Sequence, residues 1–414
     1  MDVHEDIHRA IESYLDVDEF RRYLNSAIQG SRSVTFLLQK QKTRWSNFAS
    51  WYGPWVESSK KSDIMSWSLS ARNKIVHEED LNTHSQARVT LYGDRFSEAD
   101  DVYTVPPAYS VEMILADALR HHGPADASTP KTLRIQRKWI DVELPDYELV
   151  AALKEVYRFL ASLISTAHQE SGINSCSLNA SSRSCIGGVL HPPLPCILPG
   201  SPVPDALFDL RSGELTHLSF HRVERDDDLA EVGKGRYGER PNFGNDAIEH
   251  AYARLTLSKQ FLEADGYSGP MLAFVNDKEI RLHAVPFPRD RPRELIIAAA
   301  VDAMGAWPYT GAVYSSETWI ASPRGRGSLV GVAKSQLKPS NTEYFHADPI
   351  GGRDEALIVA AVTAEGKSLS LILPFARTVD GVIYGELQQH ASDAVLPIFF
   401  KPLLVALRQK RKES

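Results

Sequence analysis

The chain has 414 residues and a formal net charge of −7, with 43% hydrophobic and 24% charged residues. This balance is typical of a folded globular protein, and the length predicts two or three domains. The modest acidic charge excludes a polycation that binds nucleic acid along its whole length.

The N-terminus, Met1–Asp6, is acidic and lacks the basic and apolar regions of a secretory signal. No apolar run approaches the ~20 residues needed to span a bilayer. Three cysteines occur, Cys176, Cys185 and Cys196, and their spacing fits neither a disulfide framework nor a paired-cysteine zinc site. We therefore expect free thiols, a cytoplasmic location and no membrane segment.

Two helices are predicted within the first 77 residues. Apolar residues recur at helical spacing from Asp18 to about Gln41, with Asp16 or Asp18 as N-cap. Pro54 suits the first turn of a further helix that ends near His77. Between the two lies an aromatic cluster that we interpret as core rather than as a base-stacking surface: Trp45, Phe48, Trp51, Tyr52 and Trp55.

Two short strands, Ala87–Tyr92 and Leu133–Ile140, are followed by a long helix from Pro145 to about Gln169. Residues 1–170 are therefore predicted to form an all-α helical bundle with a small strand insertion. Residues 171–204 are rich in Ser, Pro and Gly and are predicted to be a linker.

Residues 205–414 are predicted to form a separate mixed α/β domain of unknown role. The candidate strands are Met271–Val275, Ile280–Val285, Ala312–Ile320, Ala356–Val362, Leu369–Leu373 and Gly381–Tyr384. The candidate helices are Ala247–Glu263, Glu294–Met304 and Val395–Gln409.

Three polar residues near the end of the second helix carry the main functional hypothesis. Arg72 and His77 are five residues apart, which on an α-helix places them ~140° apart in azimuth and ~7.5 Å apart along the axis. Asn73 and His77 are four apart and share a face. An amide at this position can orient the imidazole or contact a phosphate.

Arg72, Asn73 and His77 resemble the Arg-polar…His motif of HEPN-superfamily ribonucleases, which lies on a late helix of an all-α domain. The similarity covers about residues 1 to 95 and extends to Gln169 if the long helix completes the bundle. It implies a homodimer in which two motifs face each other, with RNA, including tRNA, as substrate. It also implies roles in toxin–antitoxin or antiviral defence systems, with a cognate antitoxin or regulator as a further partner.

These residue types suit RNA cleavage without a metal or cofactor. His77 can remove the proton of the 2′-hydroxyl, and a second His77 from the other subunit can protonate the leaving oxygen. Arg72 can hold the phosphate through its guanidinium. Between Phe20 and Val76 the local net charge is +8, which suits a nucleic-acid backbone and equally suits an ordinary solvated bundle.

The sequence thus predicts a metal-independent endoribonuclease. The alternative is a non-catalytic dimerisation or binding module with a ligand-sensing C-terminal domain. A third possibility places the main activity in residues 205–414, where Ser315–Trp319 and His346–Asp348 are pocket candidates without an evident mechanism.

Two other patterns are weak. Gly233–Gly238 has the GxGxxG spacing but lacks the flanking strand and helix of a dinucleotide fold, and we predict a flexible loop. His217 and His221 suit one face of a strand better than a metal site.

Overall fold

The structure is a computed structural model of the 414-residue chain. It describes residues 3–77, 80–93, 97–122, 131–172, 203–218, 227–244, 246–284, 292–305, 307–321, 330, 353–391 and 396–413. The three cysteines, most of the predicted linker, His221 and His346–Asp348 lie outside these ranges.

The helices are α1 (Val3–Glu12), α2 (Val17–Lys40), α3 (Phe48–Lys60), α4 (Asp63–His77), α5 (Val111–His122), α6 (Leu149–Glu170), α7 (Asp227–Tyr237), α8 (Ala247–Asp265), α9 (Arg293–Met304) and α10 (Lys401–Glu413). The strands are β1 (Thr83–Tyr92), β2 (Ser97–Val105), β3 (Thr132–Asp141), β4 (Asp205–Asp209), β5 (Leu215–Leu218), β6 (Met271–Val275), β7 (Ile280–Ala284), β8 (Gly311–Ala321), β9 (Arg353–Thr363), β10 (Ser368–Thr378), β11 (Gly381–Tyr384) and β12 (Gln388–His390).

The chain divides into two compact units. Unit 1 contains residues 1–222 and 302–307, and unit 2 contains residues 223–301 and 308–414. A helical N-terminal region is thus followed by a part rich in antiparallel sheet, as predicted at that coarse level.

Unit 1 contains an antiparallel five-stranded sheet in the order β2-β1-β3-β4-β5. Its strands β4 and β5 lie beyond residue 204, and β4 pairs with β3 through Ile135 opposite Ala206. The structure therefore places the boundary between units at residue 222 rather than at 204. The predicted small strand insertion is a sheet that extends into the region assigned to the second domain.

The helices of unit 1 cover one face of this sheet. Asp16 caps α2 by accepting hydrogen bonds from the backbone N–H groups of Asp18 and Glu19, as expected. The Trp67 indole of α4 donates to Asp141 at the end of β3 over 3.0 Å. The aromatic cluster of the first 60 residues packs around buried Trp51 and Leu163, which confirms its interpretation as core.

A buried ion pair lies in this sheet. Arg134 of β3 is 2% exposed, and its Nε donates to Asp205 Oδ2 of β4 over 2.8 Å. Asp302, which belongs to unit 1, lies 2.8 Å from Arg134 Nη2. Burial opposes the charge on Arg134, but the two carboxylates more than compensate, so the pKa of Arg134 is raised.

Unit 2 contains an antiparallel sheet in the order β11-β10-β9-β8-β6-β7, with β12 paired to β10. Every strand predicted in this part of the chain is present, and β6 has the predicted bounds. Helix α8 packs against the sheet through a core that includes Ala251, Leu255, Val313 and Val359.

The GxGxxG segment is not the predicted loop. Its first five residues belong to α7, and Gly238 follows in the left-handed conformation with φ of 84°. Helix α7 is tied to the end of α8, because Arg236 and Tyr237 both donate hydrogen bonds to Asp265. These contacts stabilise a helix that its two glycines alone disfavour.

Candidate functional site

The predicted site residues lie on the solvent-facing side of α4. The opposite side of the helix is buried through Ile64, Trp67, Ser68 and Ala71. The Ser62 hydroxyl accepts a hydrogen bond from Met65 N over 3.3 Å, which caps the start of the helix. The burial of one face thus leaves the motif accessible.

Arg72 is half-buried and Asn73 is exposed. The Arg72 guanidinium donates to Asn73 Oδ1 over 3.3 Å, and among the described residues it contacts no carboxylate. Most of its donors therefore stay available to an anionic ligand, in the fork that suits phosphate oxygens.

His77 is the last residue of α4 and is exposed. Because it follows Arg72 by five residues, the two side chains leave the helix on different sides, about 140° apart. The structure thus brings Arg72 and Asn73 into contact, and among the described residues no hydrogen bond joins His77 to either of them.

Three side-chain contacts involve residues close to His77. Lys74 pairs with Glu143, which follows β3, and this hydrogen bond lowers the pKa of Glu143. Beyond the helix, Asp80 accepts a hydrogen bond from Asn25 and forms an ion pair with Arg21 of α2, each over 3.0 Å. Lys74 and Asp80, on either side of His77, are thus both held by other elements of unit 1.

In the structure, nearby carboxylates offset part of the positive charge between Phe20 and Val76. Four of the ten basic residues counted between Phe20 and Val76 pair with carboxylates, and most of those carboxylates lie outside the counted segment. The pairs are Arg21 with Asp18 and Asp80, Arg22 with Glu19, Lys60 with Glu57, and Lys74 with Glu143. Arg72 belongs to the remaining six.

Two apolar side chains flank the motif on the same helix. Leu69 is 44% exposed and Val76 is 42% exposed. Their spacing from Arg72 and Asn73 places them on the same broad side of α4. The exposed surface of α4 therefore mixes cationic, amide and apolar groups.

A second cluster, in unit 2, was not singled out from the sequence. His250 and Arg254 of α8 are 1% and 2% exposed. Because both side chains are polar, the sequence suggested that they are exposed. Their four-residue spacing places them on one face of α8 next to Ala251 and Leu255, and this spacing was a signal of their burial.

No helix within the described residues is long and apolar enough to cross a membrane. The same residues contain no group of three or more His, Cys, Asp or Glu side chains arranged to hold a metal ion.

The comparisons with known proteins do not lead to the HEPN superfamily. The family model described as bacteriophage lambda protein ea47 matches residues 1–414. Protein ea47 of Escherichia phage lambda is 29% identical over 160 residues, an alignment that covers 36% of this chain and 37% of that protein. The aligned region thus spans little more than a third of the curated relative. No solved structure matches the chain.

The HEPN resemblance was therefore wrong as a family assignment. An arginine and a histidine five residues apart form a short pattern that arises on many helices, whereas the family match extends over every residue. The chain belongs to the family of bacteriophage lambda protein ea47.

Proposed function

We propose that the exposed end of α4 binds RNA and cleaves it without a metal ion. The observation that carries the proposal is the Arg72 guanidinium, which is accessible, is held beside Asn73 and contacts no carboxylate of the described residues. A guanidinium in that state binds a phosphodiester through paired hydrogen bonds. The proposal rests on the chemistry of these residues and not on the HEPN family.

The cleavage step uses the RNA's own 2′-hydroxyl. His77 takes the proton from this hydroxyl, whose oxygen attacks the adjacent phosphorus. The bond to the 5′-oxygen breaks, and that oxygen receives a proton from an acid. The products are a 2′,3′-cyclic phosphate and a 5′-hydroxyl, so atoms and charge balance without an added reactant.

A homodimer supplies the missing acid. Because Arg72 and His77 leave α4 on different sides, one chain does not present both side chains to the same phosphate. One chain also lacks a second His77 to act as the acid. A second copy, packed against the surface that exposes Leu69 and Val76, brings a second His77 and covers these two apolar side chains. A toxin–antitoxin or defence role stays a prediction.

The test compares wild type, His77→Ala and His121→Ala on total RNA and on tRNA in EDTA. His121 is a matched control, because it is also an exposed histidine at the end of a helix in unit 1. Wild type and His121→Ala should cleave RNA, and His77→Ala should lose at least about 100-fold in rate, the usual contribution of an acid–base group.

A dimer-specific measurement sharpens the test. Mixing inactive Arg72→Ala with inactive His77→Ala should restore part of the activity if one site draws on both subunits. If wild type and the two variants bind RNA with the same affinity and wild type does not cleave it, the result would instead support the alternative, a non-catalytic binding module.

A further inference from the structure

Helix α8 carries a buried polar stripe of three residues. His250, Arg254 and Ser258 recur at four-residue spacing and are therefore stacked on one face of the helix. All three are at most 2% exposed. The rest of the buried surface of α8 is mostly apolar, so this stripe stands out.

Arg254 is a buried cation that forms no ion pair with the residues that the structure describes. Its Nε donates to the Ser315 hydroxyl of β8 over 2.9 Å, and Nη2 contacts the Met271 sulfur of β6. Among the described residues no carboxylate contacts the guanidinium. Burial lowers the pKa of Arg254 to about 10, since nothing nearby offsets the loss of water.

His250 and Ser258 extend the stripe on either side of Arg254. Neither ring nitrogen of His250 has a hydrogen-bond partner within the described part of the chain, and the Ser258 hydroxyl has none either. Buried polar groups are rarely left in this state, and an unsatisfied buried cluster therefore indicates a site for a polar occupant.

More positive charge lies over His250. The Phe243 ring packs against the His250 ring with centroids 4.6 Å apart, and exposed Arg240 stacks on Phe243. Burial lowers the pKa of His250 to about 4, and the positive charges of Arg254 and Arg240 add to this shift. Two arginines thus lie near one imidazole, and no acidic side chain of the described residues pairs with either arginine.

We infer that the His250–Arg254–Ser258 stripe binds a phosphoryl group at Arg254, beside Ser315 of β8. Arg254 supplies its remaining guanidinium donors, and Ser258, one helical turn (~6 Å along the axis) away, supplies a hydroxyl. A tetrahedral oxyanion accepts hydrogen bonds from several directions and can bridge donors on adjacent turns of a helix. This site is in unit 2 and is independent of the function proposed for α4.

The test is isothermal titration calorimetry of the full chain with inorganic phosphate, a phosphate monoester (glycerol phosphate) and acetate at matched ionic strength. We expect saturable binding of phosphate, of the monoester or of both, and the stronger of the two identifies the source of the phosphoryl group. Acetate should bind at least tenfold more weakly. Equal binding of acetate, or no binding of either phosphate, would overturn the inference.

Two variants locate the binding. Arg254→Met should weaken phosphate binding at least tenfold, whereas Arg236→Met, a matched change at an exposed arginine of α7, should leave it unchanged. Equal affinity in wild type and Arg254→Met would overturn the assignment. If Arg254→Met does not fold, hydrogen exchange of wild type replaces it, and phosphate should slow exchange in α8 and residues 238–244. Slowing confined to other segments would contradict the site.

Discussion

Each unit buries an arginine against a sheet, Arg134 in unit 1 and Arg254 in unit 2, and the two guanidinium groups have opposite surroundings. Arg134 of unit 1 contacts two carboxylates, and its pKa is raised. Arg254 of unit 2 contacts a hydroxyl and a thioether, and burial lowers its pKa. Removing one partner of a buried ion pair leaves the other charge buried and unpaired, whereas removing a buried charge that contacts no carboxylate leaves no other charge unpaired.

The largest expected difference comes from the same substitution at both arginines. Arg134→Met leaves Asp205 buried without its partner, so we expect the free energy of unfolding of unit 1 to fall by about 3–5 kcal/mol. Arg254→Met removes an uncompensated charge and should change the stability of unit 2 by no more than about 1 kcal/mol, or increase it. Urea unfolding with peptide-resolved hydrogen exchange measures both units. Equal stability losses in the two variants would show that the two buried arginines do not differ in their contribution to stability.

A second, smaller effect concerns pH. The pKa of His250 is about 4 in the fold and 6.5 when unperturbed, so between these values the unfolded chain binds the extra proton. The contribution of His250 to the free energy of unfolding is fully present above pH 6.5. It is lost as the pH falls toward 4, by up to about 3 kcal/mol.

The control for this pH dependence is His250→Phe, which keeps a ring beside Phe243 and removes the titrating group. Its unfolding free energy should vary less between pH 6.5 and 4 than that of wild type, measured by urea titration at each pH. An unchanged slope would show that other groups carry the dependence.

The smallest effect is expected at an exposed pair on the strands of unit 1. Arg88 of β1 contacts Asp100 of β2 through two hydrogen bonds of 2.8 and 2.7 Å, but both side chains are nearly half exposed. Water screens this pair, so Arg88→Ala should cost about 1 kcal/mol or less. A stability loss as large as that of Arg134→Met would show that burial does not determine how much an arginine ion pair contributes to stability.

Sequence periodicity predicted most of the regular structure. Helix α2, its Asp16 cap and strand β6 follow directly from apolar spacing and capping chemistry. Strand β2 was missed because it is an edge strand with a mostly exposed, acidic sequence. The pairing of β4 with β3 depends on a partner about 70 residues away, which local patterns do not encode.

The candidate sites show the same limit. Arg72, Asn73 and His77 were predicted from residue type and spacing, but only the structure shows that Arg72 donates a hydrogen bond to Asn73. Arg254 and His250 were passed over because charged residues are rarely fully buried. Their burial results from packing of α8 on the sheet, a tertiary effect that one sequence does not reveal.

The most direct test of the central claim is an end-group analysis of RNA fragments made by purified wild type in EDTA, with His77→Ala and His121→Ala in parallel. Wild type and His121→Ala should yield 5′-hydroxyl ends and 2′,3′-cyclic phosphates or their hydrolysed form, His77→Ala should yield none, and DNA should stay intact. Cleavage that EDTA abolishes, or that His77→Ala leaves unchanged, would contradict the account.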